Sequence, residues 1–197
     1  KIKERFKHDL NGKSFGISPK QIADGLLMVE LVPGRMEFID EGQPFKVVVD
    51  YAHEPLSFTA LFTTLRNLTG GKLIAVVGSD GGGRDISKRE RMGEIAGRLA
   101  DIVVITDVNC YDENPSVIAE MLAKGARQAG KVDGKDLFIN IDRRAAMKQA
   151  FKLAKPGDVV TVVAKGTEPY IGVASGKKIP WDDRKISREL IREIYVS

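Results

Sequence analysis

The residues with the strongest chemical character stand where apolar runs stop. In K-V-V-V-D-Y-A-H-E-P (46–55), Tyr51 and His53 follow three consecutive valines, and His53 is one of only two histidines in the chain. A tyrosine ring beside an imidazole at a strand end can flank an adenine or a ribose. The competing reading is a hydrogen-bonded structural imidazole; metal binding is disfavoured because no Cys/His/carboxylate cluster surrounds it. A second candidate is the glycine-rich turn G-S-D-G-G-G-R-D (78–85), whose backbone N–H groups can cradle an anion with help from Arg84 and the Lys88-Arg89 pair. It reads equally well as a flexible turn that caps the following helix. Its spacing, G-x-x-G-G-G, departs from the G-x-G-x-x-G of dinucleotide sites and argues against a nicotinamide or flavin.

Three more segments carry chemistry of weaker signal. Glu168, just past an apolar run, can pair with a substrate ammonium, although most glutamates simply face water. Asn109, Cys110 and Tyr111 follow another such run; asparagine there commonly caps a turn, and Cys110 lacks a companion histidine in its own loop, which disfavours a nucleophile. L-N-G-K-S (10–14) imitates a phosphate loop. The full motif would need glycine where Lys7 stands, with a strand before it, so the match is read as chance and no grip for terminal phosphates is recognised. No residue is assigned a catalytic or metal-binding role.

The elements that must position these groups are legible from periodicity. Residues 19–28 predict a short helix, broken at Val32-Pro33-Gly34. Residues 35–40 and 45–52 predict two strands joined as a hairpin. Helices over 55–68, 87–99, 115–129 and 143–154 then alternate with apolar strands over 73–78, 101–107, 136–141 and 158–164. Strands this rich in valine and isoleucine are buried on both faces, which implies a parallel sheet between two helical layers. A hairpin around Ser175-Gly176 and a closing helix complete the chain. In such a sheet ligands bind beyond the carboxyl ends of the strands, and D-Y-A-H-E-P, the glycine-rich turn, T-D-V-N-C-Y and A-K-G-T-E-P-Y all follow strands.

Composition bounds the rest. A chain of 197 residues, 43% hydrophobic and 29% charged, can bury one substantial core. Its net charge of +4 is spread without blocks, a mild bias toward anionic ligands such as nucleotides and little sign of nucleic acid. A single cysteine excludes an internal disulfide and suits a reducing cytoplasm. No run approaches the ~18 apolar residues of a membrane span. The expectation is a cytoplasmic protein with no membrane partner. Because the chain opens at Lys1 on a polar segment that starts no obvious domain, it reads as part of something longer.

Five segments, in order, resemble the C-terminal domain of the Mur ligases, in the branch that makes UDP-N-acetylmuramoyl-tripeptide. V-P-G-R-M-E (32–37) and V-D-Y-A-H-E-P (49–55) are similar to that branch's P-G-R-M-E and D-Y-A-H-T-P. G-G-R-D-I-S-K-R-E-R-M-G (82–93) resembles G-D-R-D-K-G-K-R-P-x-M-G. A-K-G-T-E-P-Y (164–170) and I-P-W-D-D-R (179–184) resemble G-K-G-H-E-D-Y and I-x-F-D-D-R. The resemblance implies an α/β, Rossmann-like three-layer domain with a mostly parallel sheet and short antiparallel hairpins, spanning 31–197. Residues 1–30 would then be the end of a central ATPase domain or a linker. It also implies an ATP-dependent acid–amino-acid ligase of peptidoglycan precursor synthesis, acting on UDP-muramoyl-dipeptide and an amino acid. The phosphate loop, the magnesium ligands and a carbamylated lysine would lie on the central domain, so that N-terminal and central domains of the same polypeptide are required partners and this segment alone is expected to be inactive. Position by position, the resemblance puts Arg35, Tyr51 and His53 near the nucleotide, and Arg84, Asn109, Tyr111 and Glu168 at the incoming amino acid. The chain also departs from the pattern. The family's D-N-P-R aligns with Val108-Asn109-Cys110-Tyr111, so a tyrosine replaces the arginine that would grip the distal carboxylate of diaminopimelate. Ala164 and Thr167 replace a glycine and a histidine, and the glycine loop is one residue longer. Two alternatives stand beside this reading: another Mur-type or folylpolyglutamate-type ligase, and a free-standing nucleotide- or anion-binding module.

Overall fold

The structure, a computed structural model, describes residues 16–28 and 31–195; the L-N-G-K-S segment lies outside them. The chain divides into two compact units, Lys1–Val32 and Pro33–Ser197. The first contains helix α1 (Pro19–Leu27). Ser18 and Gln21 cap it reciprocally: Gln21 Oε1 accepts from the Ser18 backbone N–H at 2.9 Å, and Ser18 Oγ accepts from Gln21 N at 3.3 Å.

In the second unit, strands β1 (Glu37–Ile39) and β2 (Lys46–Val49) form the antiparallel hairpin read from the sequence. Four helix–strand pairs follow: α2 (Pro55–Leu68) with β3 (Leu73–Val77), α3 (Ser87–Leu99) with β4 (Ile102–Ile105), α4 (Pro115–Gln128) with β5 (Leu137–Ile139), and α5 (Arg143–Leu153) with β6 (Val159–Val162). A small hairpin, β7 (Tyr170–Gly172) and β8 (Lys178–Pro180), leads into the closing helix α6 (Asp183–Tyr195). The helix starts have local causes. Proline opens α2 and α4 where the missing N–H costs nothing, Asn114 Oδ1 accepts from Ser116 N at 2.9 Å, and Asp142 Oδ1 accepts from Ala145 N at 3.0 Å.

The main sheet has six strands in the order β1-β2-β6-β3-β4-β5, parallel except for β1. Both faces are buried, which is why the strands read as unbroken apolar runs. On one face Val48, Ala75, Val77, Val103 and Ile105 pack under Phe58, Phe62, Met92 and Leu122 of α2, α3 and α4. On the other, Val47, Val49, Ile74, Val76 and Val160 meet Met147 and Phe151 of α5 and Leu190 and Ile191 of α6. Among the described residues no helix is long and apolar enough to cross a membrane.

The chain after β3 turns onto the first face and the chain after β6 onto the second. The crevice between the ends of these neighbouring strands is therefore a topological switch point, where ligand sites form in open α/β sheets. A buried ion pair braces it from below. The Arg143 guanidinium, at the start of α5, donates to both oxygens of Asp183 at 2.9 and 2.7 Å, to the carbonyl of Asp107 at 3.1 Å and to that of Val163 at 2.8 Å. Trp181 Nε1 adds a third donor to Asp183 at 2.7 Å. Arg143 therefore ties together the chain leaving β4, the chain leaving β6 and the start of α6. The link from β6 carries strain as well: Ala164 has φ +85°, a left-handed conformation that disfavours a Cβ, at a position where the resembling motif has glycine.

Two stability measurements check this bracing. Arg143→Met leaves the Asp183 carboxylate buried without its cation, and urea unfolding of this variant should show a loss of about 3–5 kcal/mol. Ala164→Gly releases the strained backbone and should shift stability upward by about 0.5–1 kcal/mol, the unfolded chain's extra freedom offsetting part of the gain.

Candidate functional site

The loop before β1 is drawn onto the carboxyl end of β2 by two acidic side chains. Asp50, which ends β2, accepts from Met36 N and from Ala52 N, each at 2.7 Å, and Glu37 Oε2 accepts from Gly34 N at 2.9 Å. The P-G-R-M turn consequently lies against the chain leaving β6. Gly34 and Gly166 meet backbone to backbone: a Cβ on Gly34 would stand 2.7 Å from the Gly166 carbonyl carbon, and one on Gly166 would stand 2.8 Å from Tyr51 Cβ. Only glycine permits that approach.

This turn presents Arg35 to Tyr51. The Arg35 guanidinium carbon lies 4.4 Å from the centre of the tyrosine ring, and the His53 ring approaches the same ring edge-on at 4.7 Å. His53 Nδ1 lies 2.8 Å from the Tyr51 carbonyl oxygen. A carbonyl can only accept, so Nδ1 carries the proton and a neutral imidazole keeps Nε2 as an acceptor. The three residues assigned to the nucleotide side thus form one contiguous platform.

Beside it lies a polar knot with a buried lysine at its centre. Lys165 Nζ, on a side chain with 0% exposure, donates to Asn109 Oδ1 at 2.9 Å and to Glu168 Oε2 at 2.8 Å. Asn109 is itself 2% exposed; its Nδ2 donates to Glu168 Oε2 at 3.0 Å and to Asp80 Oδ1 at 2.8 Å, and its Oδ1 also accepts from Gly172 N at 2.8 Å. The second glutamate oxygen, Oε1, accepts from the Tyr51 hydroxyl at 3.4 Å. Burial alone would raise the Glu168 carboxyl, but Lys165, Asn109 and Tyr51 outweigh it and hold the group below the usual glutamate range. Burial lowers the Lys165 ammonium, and Glu168 offsets part of that. With the depressed carboxyl, Glu168 adds stability above the ordinary glutamate range, and this is lost as pH falls below it.

The glycine-rich turn completes the rim. Two of its amides are engaged: Gly81 N donates to the Asn109 carbonyl at 2.8 Å and Gly83 N to Glu113 Oε1 at 3.2 Å. The Lys88-Arg89 pair, read from the sequence as a source of cations for an anion, is buried and committed. Lys88 pairs with Glu54, and Arg89 donates to Glu113 at 2.9 Å and to the Asp80 carbonyl at 2.9 Å. Arg84 is exposed, and its charge reaches the Tyr111 phenol. Tyr111 has φ +49°, and its ring lies against Gly82 and Gly172, where a Cβ on either would stand 2.6 Å away. Burial first, then the charge of Asp80, pushes its phenol upward. Cys110 is a buried thiol, raised to about 11 by burial and by Asp107, which leaves it neutral and poorly nucleophilic.

Tyr51, Asn109, Tyr111 and Glu168 are therefore assembled around one crevice, with Arg35 and His53 on its β2 side and Arg84 on its outer lip. Sequence reading passed over Lys165, Asp80 and the Arg143–Asp183 pair. The first lay inside A-K-G-T-E-P-Y, where a lysine between small residues gives no hint that it is fully buried. A separate hollow of about 530 Å³, lined by Phe38, Phe45, Leu68 and Asp158 among others, opens beside the start of β2 and includes none of these groups.

Comparison with known proteins places this arrangement in a family. The model of the family "Mur ligase, glutamate ligase domain" matches residues 34–166. A UDP-N-acetylmuramoyl-L-alanyl-D-glutamate–2,6-diaminopimelate ligase of Streptomyces coelicolor is 42% identical over 178 residues, covering 90% of this chain and 35% of the relative. A UDP-N-acetylmuramyl-tripeptide synthetase of Roseiflexus sp. is 41% identical over 91% of this chain and 35% of its own length. A solved structure of a UDP-N-acetylmuramoyl-L-alanyl-D-glutamate–2,6-diaminopimelate ligase superposes with a TM-score of 0.71 at 30% identity, covering 92% of this chain and 36% of that one. The chain thus spans about 35% of the length of the curated relatives it matches. It belongs to the Mur ligase family and carries that family's C-terminal domain.

Proposed function

We propose that this chain is the C-terminal domain of an ATP-dependent ligase that adds the third amino acid to UDP-N-acetylmuramoyl-dipeptide in peptidoglycan precursor synthesis. The observation that supports this most is the joint position of the Arg35–Tyr51–His53 platform and the Glu168 carboxylate, which share Tyr51 and lie at the switch point of the sheet. Residues 1–30 would be the end of a preceding central domain or a linker to it, and that domain would hold the magnesium ligands.

ATP supplies the phosphoryl group that turns a substrate carboxylate into an acyl phosphate open to attack by an amine. The residues of this domain bind and orient. The Tyr51 and His53 rings offer apolar and polar faces to adenosine, with His53 Nε2 open to a ribose or base donor. Glu168 stays ionised and takes the ammonium of the incoming amino acid, while Arg84 meets its α-carboxylate. At the start of the helix that follows the glycine turn, Lys88 and Arg89 are spent on Glu54 and Glu113, so neither is left to grip terminal phosphates. Catalysis then rests on positioning against groups supplied elsewhere in the ligase.

Tyr111 sets this domain apart within that reading. A phenol cannot form the two-pronged cationic contact of an arginine, and the charge that acts on it most strongly is that of Asp80, an anion. A distal carboxylate on the amino acid would meet a neutral ring and a negative neighbour instead of a guanidinium.

The test uses the full ligase that carries this domain, with ATP and UDP-muramoyl-dipeptide, and follows phosphate release across lysine, ornithine, diaminopimelate and other amino acids. Turnover that depends on both the dipeptide and one of these amino acids is expected; no release with any of them overturns the reading. His53→Ala should raise KM for ATP about tenfold and leave KM for the amino acid within about twofold. Glu168→Gln should do the reverse, raising the amino-acid KM about tenfold or more.

A further inference from the structure

The two halves of the crevice are joined through one side chain. Glu168 Oε2 is saturated: it accepts from both Lys165 Nζ and Asn109 Nδ2. Oε1 has a single partner among the described residues, the Tyr51 hydroxyl, at 3.4 Å. An incoming ammonium needs an acceptor with open lone pairs, and on this carboxylate that is Oε1. The hydroxyl that touches Oε1 belongs to the ring that Arg35 covers at 4.4 Å and His53 abuts at 4.7 Å.

We propose that Tyr51 works in both directions, its ring serving the nucleotide and its hydroxyl positioning the Glu168 oxygen that receives the amine, so that nucleotide and amino acid bind with positive coupling. The inference rests on the ligase reading given above. Three features carry it. At 3.4 Å the O–H···O contact is longer than the ordinary 2.5–3.0 Å range, so a small shift of the ring changes its strength. The ring cannot drift freely, because the Gly166 backbone packs on its Cβ end. A base stacked on the ring therefore acts on the hydroxyl end, where Oε1 waits. Burial and the Glu168 charge also keep the phenol protonated, and it remains a donor throughout the neutral range. Closing the contact fixes Oε1 and withdraws one of the carboxylate's rotational freedoms before the amine arrives. By linkage, whatever the nucleotide does for the amino acid, the amino acid does equally for the nucleotide.

Tyr51 is thus a positioning residue for amino-acid recognition, a role separable from its ring. Tyr51→Phe keeps the ring and removes the hydroxyl. In the full ligase this variant should raise the amino-acid KM at saturating ATP about five- to tenfold and, by linkage, KM for ATP at saturating amino acid by a similar factor. Calorimetric titration of the amino acid into the wild-type ligase should give a lower Kd in the presence of a non-hydrolysable ATP analogue than in its absence; in Tyr51→Phe the two values should coincide. In a Glu168→Gln background, Tyr51→Phe should have no further effect on the amino-acid KM, which a purely structural role for the hydroxyl would not produce. An unchanged amino-acid KM in Tyr51→Phe, a rise in KM for ATP alone, or coupling that survives the substitution overturns this inference and leaves the ligase reading standing. A wild-type ligase that releases phosphate with no amino acid overturns both.

Discussion

A lysine ammonium with no exposure to water is the constraint around which the candidate site is organised. Taking an ammonium out of water costs several kcal/mol unless acceptors replace the solvent. Lys165 meets this with the Asn109 amide oxygen and the Glu168 carboxylate, each within 2.9 Å. Burial brings the lysine down from its ordinary value, with Glu168 offsetting part of that, while Lys165, Asn109 and Tyr51 hold the glutamate below its own. The cation also fixes which glutamate oxygen is spent. With Oε2 held by Lys165 and Asn109, Oε1 is the oxygen left toward the crevice, where the Tyr51 hydroxyl at 3.4 Å is its one partner among the described residues.

The other features of the rim follow from the need to bring an asparagine on one loop to a lysine and a glutamate on another. Asn109 arrives after β4 and Lys165 after β6, and Asn109 reaches across to Asp80 at the end of β3. Arg143 and Asp183 hold the outgoing chains of β4 and β6 in register from the far side. The left-handed Ala164, one residue before the lysine, is local strain sustained by this surrounding structure. The Gly34–Gly166 contact then lets the P-G-R-M turn approach closely enough to set Arg35 over Tyr51.

Much of this framework was legible in the sequence because its causes are local. The helix over 55–68 is found with those bounds because Pro55 marks its first turn and Phe58, Leu61, Phe62 and Leu65 recur on one buried face. The strand read over 101–107 is shorter, Ile102–Ile105, because Asp107 already belongs to the loop that serves the crevice. Tyr51 and Glu168 were visible as polar residues placed just past apolar runs. Lys88 and Arg89 misled for a related reason: adjacent cations at a helix start suggest a free charged edge, whereas their partners Glu54 and Glu113 come from other loops and only the fold brings them together. Lys165 and Asp80 were missed on the same ground, since nothing in the spacing of a charged residue announces a pairing across 56 positions of chain.

The central claim is that the buried Lys165 charge is what holds Glu168 in place, and a double-mutant cycle on folding stability tests it most directly. Lys165→Met, Glu168→Gln and the combined variant are unfolded in urea at neutral pH. If the pair is coupled as described, each single change is more harmful than its share of the double change, and the cycle yields an interaction of about 2 kcal/mol or more. Losses that add to within about 0.5 kcal/mol would show that the two groups are merely neighbours, and the crevice would then lack the preoriented carboxylate on which its proposed chemistry depends.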